Sequence, residues 1–234
     1  MKAIFKREWN AYFTSAIGYI VLAGIFFLAG TFFYMYSMYY GTTNMSYQFS
    51  AMLQYMMIFI PFLTMRMFSE DKKQKTDQAL LTAPISIFSL VMGKFLAAFA
   101  VYTLGVSVTL VQAVILGSMA QLEWGVIFGN YFVLLLMGAA FIAIGAFVSS
   151  LTENQFIAAV GSFGIIAVFM FLDMAQSSIT NPVLVKIVDA VSFYGKYEDF
   201  SKGIFNIANT IFFLSVSAVF VFLTIRAIEK RRWS

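Results

Sequence analysis

The chain has 234 residues, of which 61% are hydrophobic and 11% charged, with a net charge of +4 and a mean hydropathy of +0.85. Soluble domains carry about 45–50% apolar and about 25% charged residues, so this composition is built for lipid rather than water. Cysteine and histidine are absent, which removes disulfides, thiolate and imidazole chemistry and the usual zinc, copper and haem ligands.

In residues 2–13, Lys2, Lys6 and Asn10 share one helical face and Phe5, Trp9 and Phe13 another, with Arg7 beside them. That is the pattern of an interfacial helix; a plain positive anchor ahead of the first span has the same charges. The apolar stretch that follows is too long for a secretory leader and is interrupted at its start by Glu8 and Trp9, so it is expected to stay attached. Residues 9–65 carry no formal charge. At about 20 residues per crossing this stretch holds two spans, separated by the turn residues Gly41, Thr42, Thr43 and Asn44. Continuing along the chain, spans are predicted at 16–39, 48–65, 87–117, 125–148, 155–173 and 205–226, the third absorbing Lys94.

Lys and Arg are enriched in cytoplasmic loops. With the N-terminus inside, Lys2, Lys6, Arg7, Arg66, Lys72, Lys73, Lys75, Lys94, Arg226, Lys230, Arg231 and Arg232 fall on the inner side and only Lys186, Lys196 and Lys202 on the outer. Both termini are therefore expected in the cytoplasm. The predicted fold is an all-α, polytopic membrane protein, one transmembrane domain over 1–234. It has six spans, an N-terminal interfacial helix, a cytoplasmic connector at 66–86 and an outer segment at 174–203. In that outer segment, Asn181-Pro182 starts a short amphipathic helix.

Catalytic motifs are missing. The Gly93-Lys94 pair lacks the rest of a phosphate-cradling loop, there is no Gly-x-Ser-x-Gly turn, and Gly161-Ser162-Phe163-Gly164 reads as small residues for close helix packing. Asp173, Glu123 and Glu153 read as interfacial rather than mid-membrane, which counts against an ion-coupled carrier. The basic residues sit at the ends of apolar runs and form no stripe for nucleic acid. The connector mixes both signs of charge with Leu80 and Leu81, which suits a protein-docking surface as well as an ordinary solvated loop. Its expected elements are a helix through Asp77 to Leu81, broken before Pro84, and a Ser86 cap on span three.

The run Met65-Arg66-Met67-Phe68-Ser69-Glu70-Asp71-Lys72-Lys73-Gln74-Lys75-Thr76-Asp77-Gln78-Ala79-Leu80-Leu81-Thr82-Ala83-Pro84-Ile85-Ser86, followed by Gly93-Lys94-Phe95-Leu96, resembles the signature of bacterial ABC exporter permeases of the second type, especially the branch with the gliding-motility permeases. Phe5-Lys6-Arg7-Glu8 and Tyr197-Glu198-Asp199-Phe200-Ser201-Lys202-Gly203 extend the resemblance over nearly the whole chain. Lys75 departs from it, standing where the family usually has Gly, as do Ala16 in place of Pro and Tyr197 in place of His.

The resemblance implies a permease subunit of the bacterial cytoplasmic membrane that dimerises, with itself or a second permease. It implies no cofactor of its own; ATP and Mg would bind in a separate nucleotide-binding subunit. Arg66, Glu70, Asp71, Thr76, Asp77, Leu80 and Leu81 would form the docking and coupling surface, Arg66 pairing with Glu70 or a neighbouring carboxylate. Lys2, Phe5, Lys6, Arg7 and Trp9 would form the interfacial helix. A secondary carrier or channel, or a membrane scaffold that moves no substrate, stays open on the residues alone, and the substrate is not legible.

Overall fold

The computed structural model describes residues 1–76, 85–176 and 181–232. Among these every regular element is a helix, and six helical segments are long and apolar enough to cross a membrane. α1 (Lys2–Thr14) precedes α2 (Ala16–Phe32), which runs on into a π-helical stretch, Phe33–Tyr39. Then come α3 (Ser46–Thr64), the short α4 (Ser69–Lys73), α5 (Ile87–Val106) and α6 (Val108–Gly117). α7 (Trp124–Leu151), α8 (Gln155–Gln176), α9 (Pro182–Val191), α10 (Tyr194–Ser201) and α11 (Ile207–Arg232) complete the chain. Span three is thus two helices in line, with a break at Ser107 that no proline or charge announces.

Short polar side chains close the turns, because each helix start leaves backbone N–H groups without partners. Asn44 Oδ1 accepts from Ser46 N at 2.9 Å, Ser86 Oγ from Ser89 N at 3.2 Å, Asn154 Oδ1 from Phe156 N at 2.9 Å, Ser192 Oγ from Gly195 N at 3.0 Å and Asn206 Oδ1 from Ala208 N at 3.0 Å. The expected Ser86 cap is therefore present. The expected helix through Asp77 to Leu81 lies outside the described residues.

α7 is the central pillar and the most buried of the six spans; α3, α5, α8, α10 and α11 all pack on it. In lipid, helices gain little from burying apolar area against each other, so close backbone approach supplies the attraction. The glycines of α7 mark those approaches. A Cβ at Gly138 would lie 2.1 Å from the Tyr102 ring of α5, one at Gly145 2.1 Å from Thr64 Oγ1 of α3, and one at Gly129 2.7 Å from the backbone oxygen of Phe200 in α10. Tyr102 OH then reaches the α7 backbone, donating to Leu134 O at 2.7 Å. Of the small-residue run in α8, Gly161 meets Val148 and Ser162 is buried, whereas Gly164 faces open space.

The segment after α8 does more than lie on a surface. α9 is amphipathic as expected, with Val188 buried and Lys186 exposed, but a second helix, α10, enters the bundle. Phe193, Tyr197 and Phe200 are fully buried, and Phe193 sits 5.3–5.6 Å from the rings of Phe169, Phe141, Phe212 and Phe213. Tyr197 OH donates to Asn130 Oδ1 at 2.7 Å and contacts Ser50 Oγ at 2.9 Å, while Asp199 Oδ2 accepts from Asn206 at 3.0 Å and Asn209 at 2.8 Å. Burial raises the Tyr197 pKa and keeps the hydroxyl protonated. Reading the segment as a membrane-surface element missed this plug, because Tyr-Gly-Lys-Tyr-Glu-Asp has the polarity of an exposed turn until its polar atoms are paired inside.

Both termini lie at one end of the bundle. Arg231 at the end of α11 reaches Glu153 in the α7–α8 turn at 3.4 Å, next to the serines that hold the connector, and α1 lies at that same end. The opposite end gathers residues 43–46, Gln121, Glu123, Ser201 and Lys202 around a cavity of about 320 Å³.

Since the obstruction at Gly129 is backbone, Gly129→Ala should force α10 off α7 and lower stability by about 1–3 kcal/mol. Gly30→Ala, where the added carbon meets nothing within 4 Å, should stay within about 0.5 kcal/mol of the parent. Thermal unfolding of both variants in detergent gives the comparison.

Candidate functional site

The connector end is organised by three polar side chains from different helices, Glu8 of α1, Lys94 of α5 and Ser149 of α7. Where α3 ends, the chain turns through residues 65–68, and Ser149 of α7 occupies that turn. Its Oγ accepts from Phe68 N at 3.1 Å and Ser69 N at 3.2 Å and donates to Met65 O at 3.0 Å. Ser69 Oγ also donates to Met65 O, and Lys72 donates to Ser150 O. A hydroxyl from another span thus caps α4, and the start of the connector is fastened to the end of α7.

Lys94 fastens it to α5 and α1. The residue is 3% exposed, one of the few charged side chains placed inside the bundle. Its ammonium has three N–H groups and three acceptors: Met67 O at 2.5 Å, Asp71 Oδ2 at 2.8 Å and Glu8 Oε1 at 3.1 Å, with the Phe68 ring 5.4 Å away. Arg7 adds a second cation, 2.5 Å from Glu8 Oε1 and 3.7 Å from Asp71 Oδ2, so two positive charges meet two negative ones. Burial opposes the Arg7 charge, but the hydrogen bond it donates to Glu8 and the charges of Glu8 and Asp71 outweigh it and raise its pKa. An unpaired ammonium here would be expelled or neutralised. The full set of acceptors is what lets Lys94 stay.

Gly93 explains how α1 comes close enough. A Cβ there would lie 2.9 Å from Ile4 Cβ and 3.3 Å from Met1 O, so the Gly93-Lys94 pair joins a flat helix surface to the lysine that grips the helix laid on it. Ile4, Glu8 and Tyr12, spaced four apart, form the inward face of α1. Tyr12 is buried and donates to Leu63 O at 3.0 Å, and burial raises its pKa so that it remains a donor. α1 therefore is not simply laid on a membrane; one face is docked on α3 and α5. Lys2 and Lys6 stay exposed, and Phe5 and Trp9 are half-buried, stacked at 6.1 Å.

The predicted connector residues fall into distinct environments. Arg66 Nε and Glu70 Oε2 pair at 2.8 Å, one helical turn apart. Asp71 turns inward onto Lys94 and also accepts from Thr76 Oγ1 at 3.1 Å. Asp77, Leu80 and Leu81 lie outside the described residues. Lys75 sits at φ +58°, the left-handed region that glycine adopts at no cost and other residues at about 1–2 kcal/mol. The position where the resembled signature has Gly is thus a glycine-type turn, and Lys75 occupies it without changing its backbone shape.

The junction of Glu8, Lys94 and Ser149 was not foreseen, although Glu8 and Lys94 belong to the resembled motifs. For Glu8 a signal existed in its spacing with Ile4 and Tyr12; Lys94 was absorbed into the third span. Among the described residues no group of three or more acidic side chains is placed to hold a metal. The site is a junction that joins α1, α4, α5 and the end of α7.

Removing the cation leaves two carboxylates sharing the half-exposed Arg7, so Lys94→Gln should lower stability by about 3 kcal/mol. Arg7→Gln, at the exposed edge, should cost less than about 1 kcal/mol. Equal losses in denaturant or thermal unfolding would mean that Lys94 is not the hub.

The sequence matches the family model described as ABC-2 family transporter protein over residues 3–229. The match is to the family as a whole and does not single out the gliding-motility branch. No curated protein matches the chain. With a match across nearly its whole length and six spanning helices, this chain belongs to the ABC-2 family of transporter proteins: it is an integral membrane permease component of an ABC transporter, a non-catalytic subunit that pairs with an ABC nucleotide-binding subunit.

Proposed function

We propose that the chain is the permease of an ATP-driven exporter in a bacterial cytoplasmic membrane. It works as a dimer, with both termini and the connector on the cytoplasmic side. The Lys and Arg distribution supports that orientation, and the shared location of the two termini agrees with it. In this reading the nucleotide-binding subunit, which carries the ATP and Mg, docks on the connector residues Arg66, Glu70, Thr76, Asp77, Leu80 and Leu81. Asp71 serves as the strut behind them.

The observation that carries the proposal is the buried Lys94 junction. A push on α4 cannot move α4 alone, since Asp71 and Met67 are held by a lysine of α5 that also holds Glu8 of α1. Ser149 passes the same displacement to α7. Closure of the two ATPase subunits would then tilt α1, α5 and the end of α7 together and open a path between the two permease copies.

Docking and transmission are separable. Glu70→Lys should reduce the nucleotide-binding subunit recovered on co-purification by about tenfold, the order of effect expected for a like-charge contact at an interface. Asp71→Asn should leave recovery near the parent level and lower the stimulation of ATPase activity by the permease. Unchanged recovery and unchanged stimulation in both variants would contradict the assignment, and loss of recovery in both would contradict the division of roles.

A further inference from the structure

Beyond the inward face of α1, its next face borders a furrow that nothing in the chain fills. Phe5 and Trp9 form one wall. The other is a half-exposed stripe of α5, Leu96, Phe99, Thr103 and Leu104, leading to Ser107; together they enclose about 600 Å³. From Leu96 to Ser107 the furrow runs about 16 Å at 1.5 Å per residue. Its two hydroxyls do not make it polar, since Thr103 Oγ1 donates to Phe99 O at 2.8 Å and Ser107 Oγ to Leu104 O at 2.7 Å. The furrow is linear, apolar, open along its length and flanked on the α1 side by stacked aromatic rings.

Lys2 and Lys6 stand next to those rings on the surface of α1. On a helical wheel both lie within about 60° of Trp9. Both are exposed, and neither has an ion-pair partner among the described residues, whereas Arg7, on the other side of the helix, is spent on Glu8 and Asp71. A membrane-edge helix with aromatic residues beside two unused ammonium groups is complementary to a molecule with an anionic head and an alkyl tail. A two-fold copy of this chain is a poor occupant, because an isologous contact would bring the same lysines together.

We propose that an anionic phospholipid of the leaflet at the connector end binds this site. One acyl chain lies along α5 between Leu96 and Ser107, the glycerol region sits against Phe5 and Trp9, and the phosphate is held by Lys2 and Lys6. The lipid completes the seat of α1 from the side opposite Lys94, so the helix that carries Glu8 is held by protein on one face and by lipid on the next.

The chain has three tryptophans, so Trp124→Phe with Trp233→Phe leaves Trp9 as the only emitter. The full chain is reconstituted in phosphatidylcholine vesicles doped with phosphatidylglycerol or phosphatidylcholine brominated on the acyl chain, and Trp9 quenching is followed against mole fraction. Brominated phosphatidylglycerol should reach half-quenching at a mole fraction about tenfold lower than brominated phosphatidylcholine, the scale two lysines near a charged head group supply. K2Q/K6Q should erase that difference while leaving quenching by phosphatidylcholine. Coincident curves in the parent, selectivity that survives K2Q/K6Q, or no quenching by either lipid, as when a protein surface covers the furrow, would each overturn the proposal. Should the tryptophan variants fail to fold, native mass spectrometry of the otherwise unaltered chain is the second readout. It should show retained phosphatidylglycerol that K2Q/K6Q loses; equal retention by both would overturn the site.

Discussion

An ammonium group inside a membrane protein must be given acceptors for all of its protons, and the connector end of this bundle is arranged around doing so for Lys94. Its three partners come from three places in the chain: the turn after α3, the short helix α4 and the N-terminal helix α1. None of these pieces is long or apolar enough to hold its position alone. α4 has five residues, and α1 has one apolar face in contact with protein. With Lys94 in place they become one body with α5, because losing any partner leaves an ammonium N–H without its acceptor in a buried site.

The far end solves the same problem with neutral groups. Tyr197, Asn130, Ser50, Ser46 and Ser201 satisfy one another around the second turn of α7, and Asp199 accepts hydrogen bonds from two asparagine amides. Between the two ends the bundle relies on shape, with glycines of α7 accepting Tyr102 and Thr64. One end is thus fastened by charge and the other by hydrogen bonds and aromatic packing. In the proposed function that division suits a protein pushed at one end, since an ionic junction resists separation while its members swing together.

Much of this was legible beforehand. Charge-poor windows gave six spanning helices, Ser86 marked the start of the third, and the connector residues, with Gly93-Lys94, carried the resemblance to the family that the chain belongs to. The misses share a physical cause. Lys94 was absorbed into the third span as one of the inner-side charges, because periodicity cannot tell a lysine that reaches solvent from one whose acceptors arrive from elsewhere in the chain. α10 was missed because buried tyrosine, asparagine and aspartate have the composition of a surface turn until their pairing is seen. Ser149 is one of many serines in apolar helices, and only tertiary contact distinguishes the one that caps a foreign helix.

The central claim is that α1, α4 and α5 move as one body about Lys94. The absence of cysteine makes a direct measurement simple: nitroxides at Asn10 on α1 and Phe88 on α5, both exposed, with unlabelled chain in excess so that only distances within one copy are read. In complex with the nucleotide-binding subunit, pulsed dipolar spectroscopy should give a single narrow distance distribution that is the same without nucleotide and with ATP trapped. A distribution that shifts or splits on ATP binding would mean that α1 moves against α5, and would contradict the account.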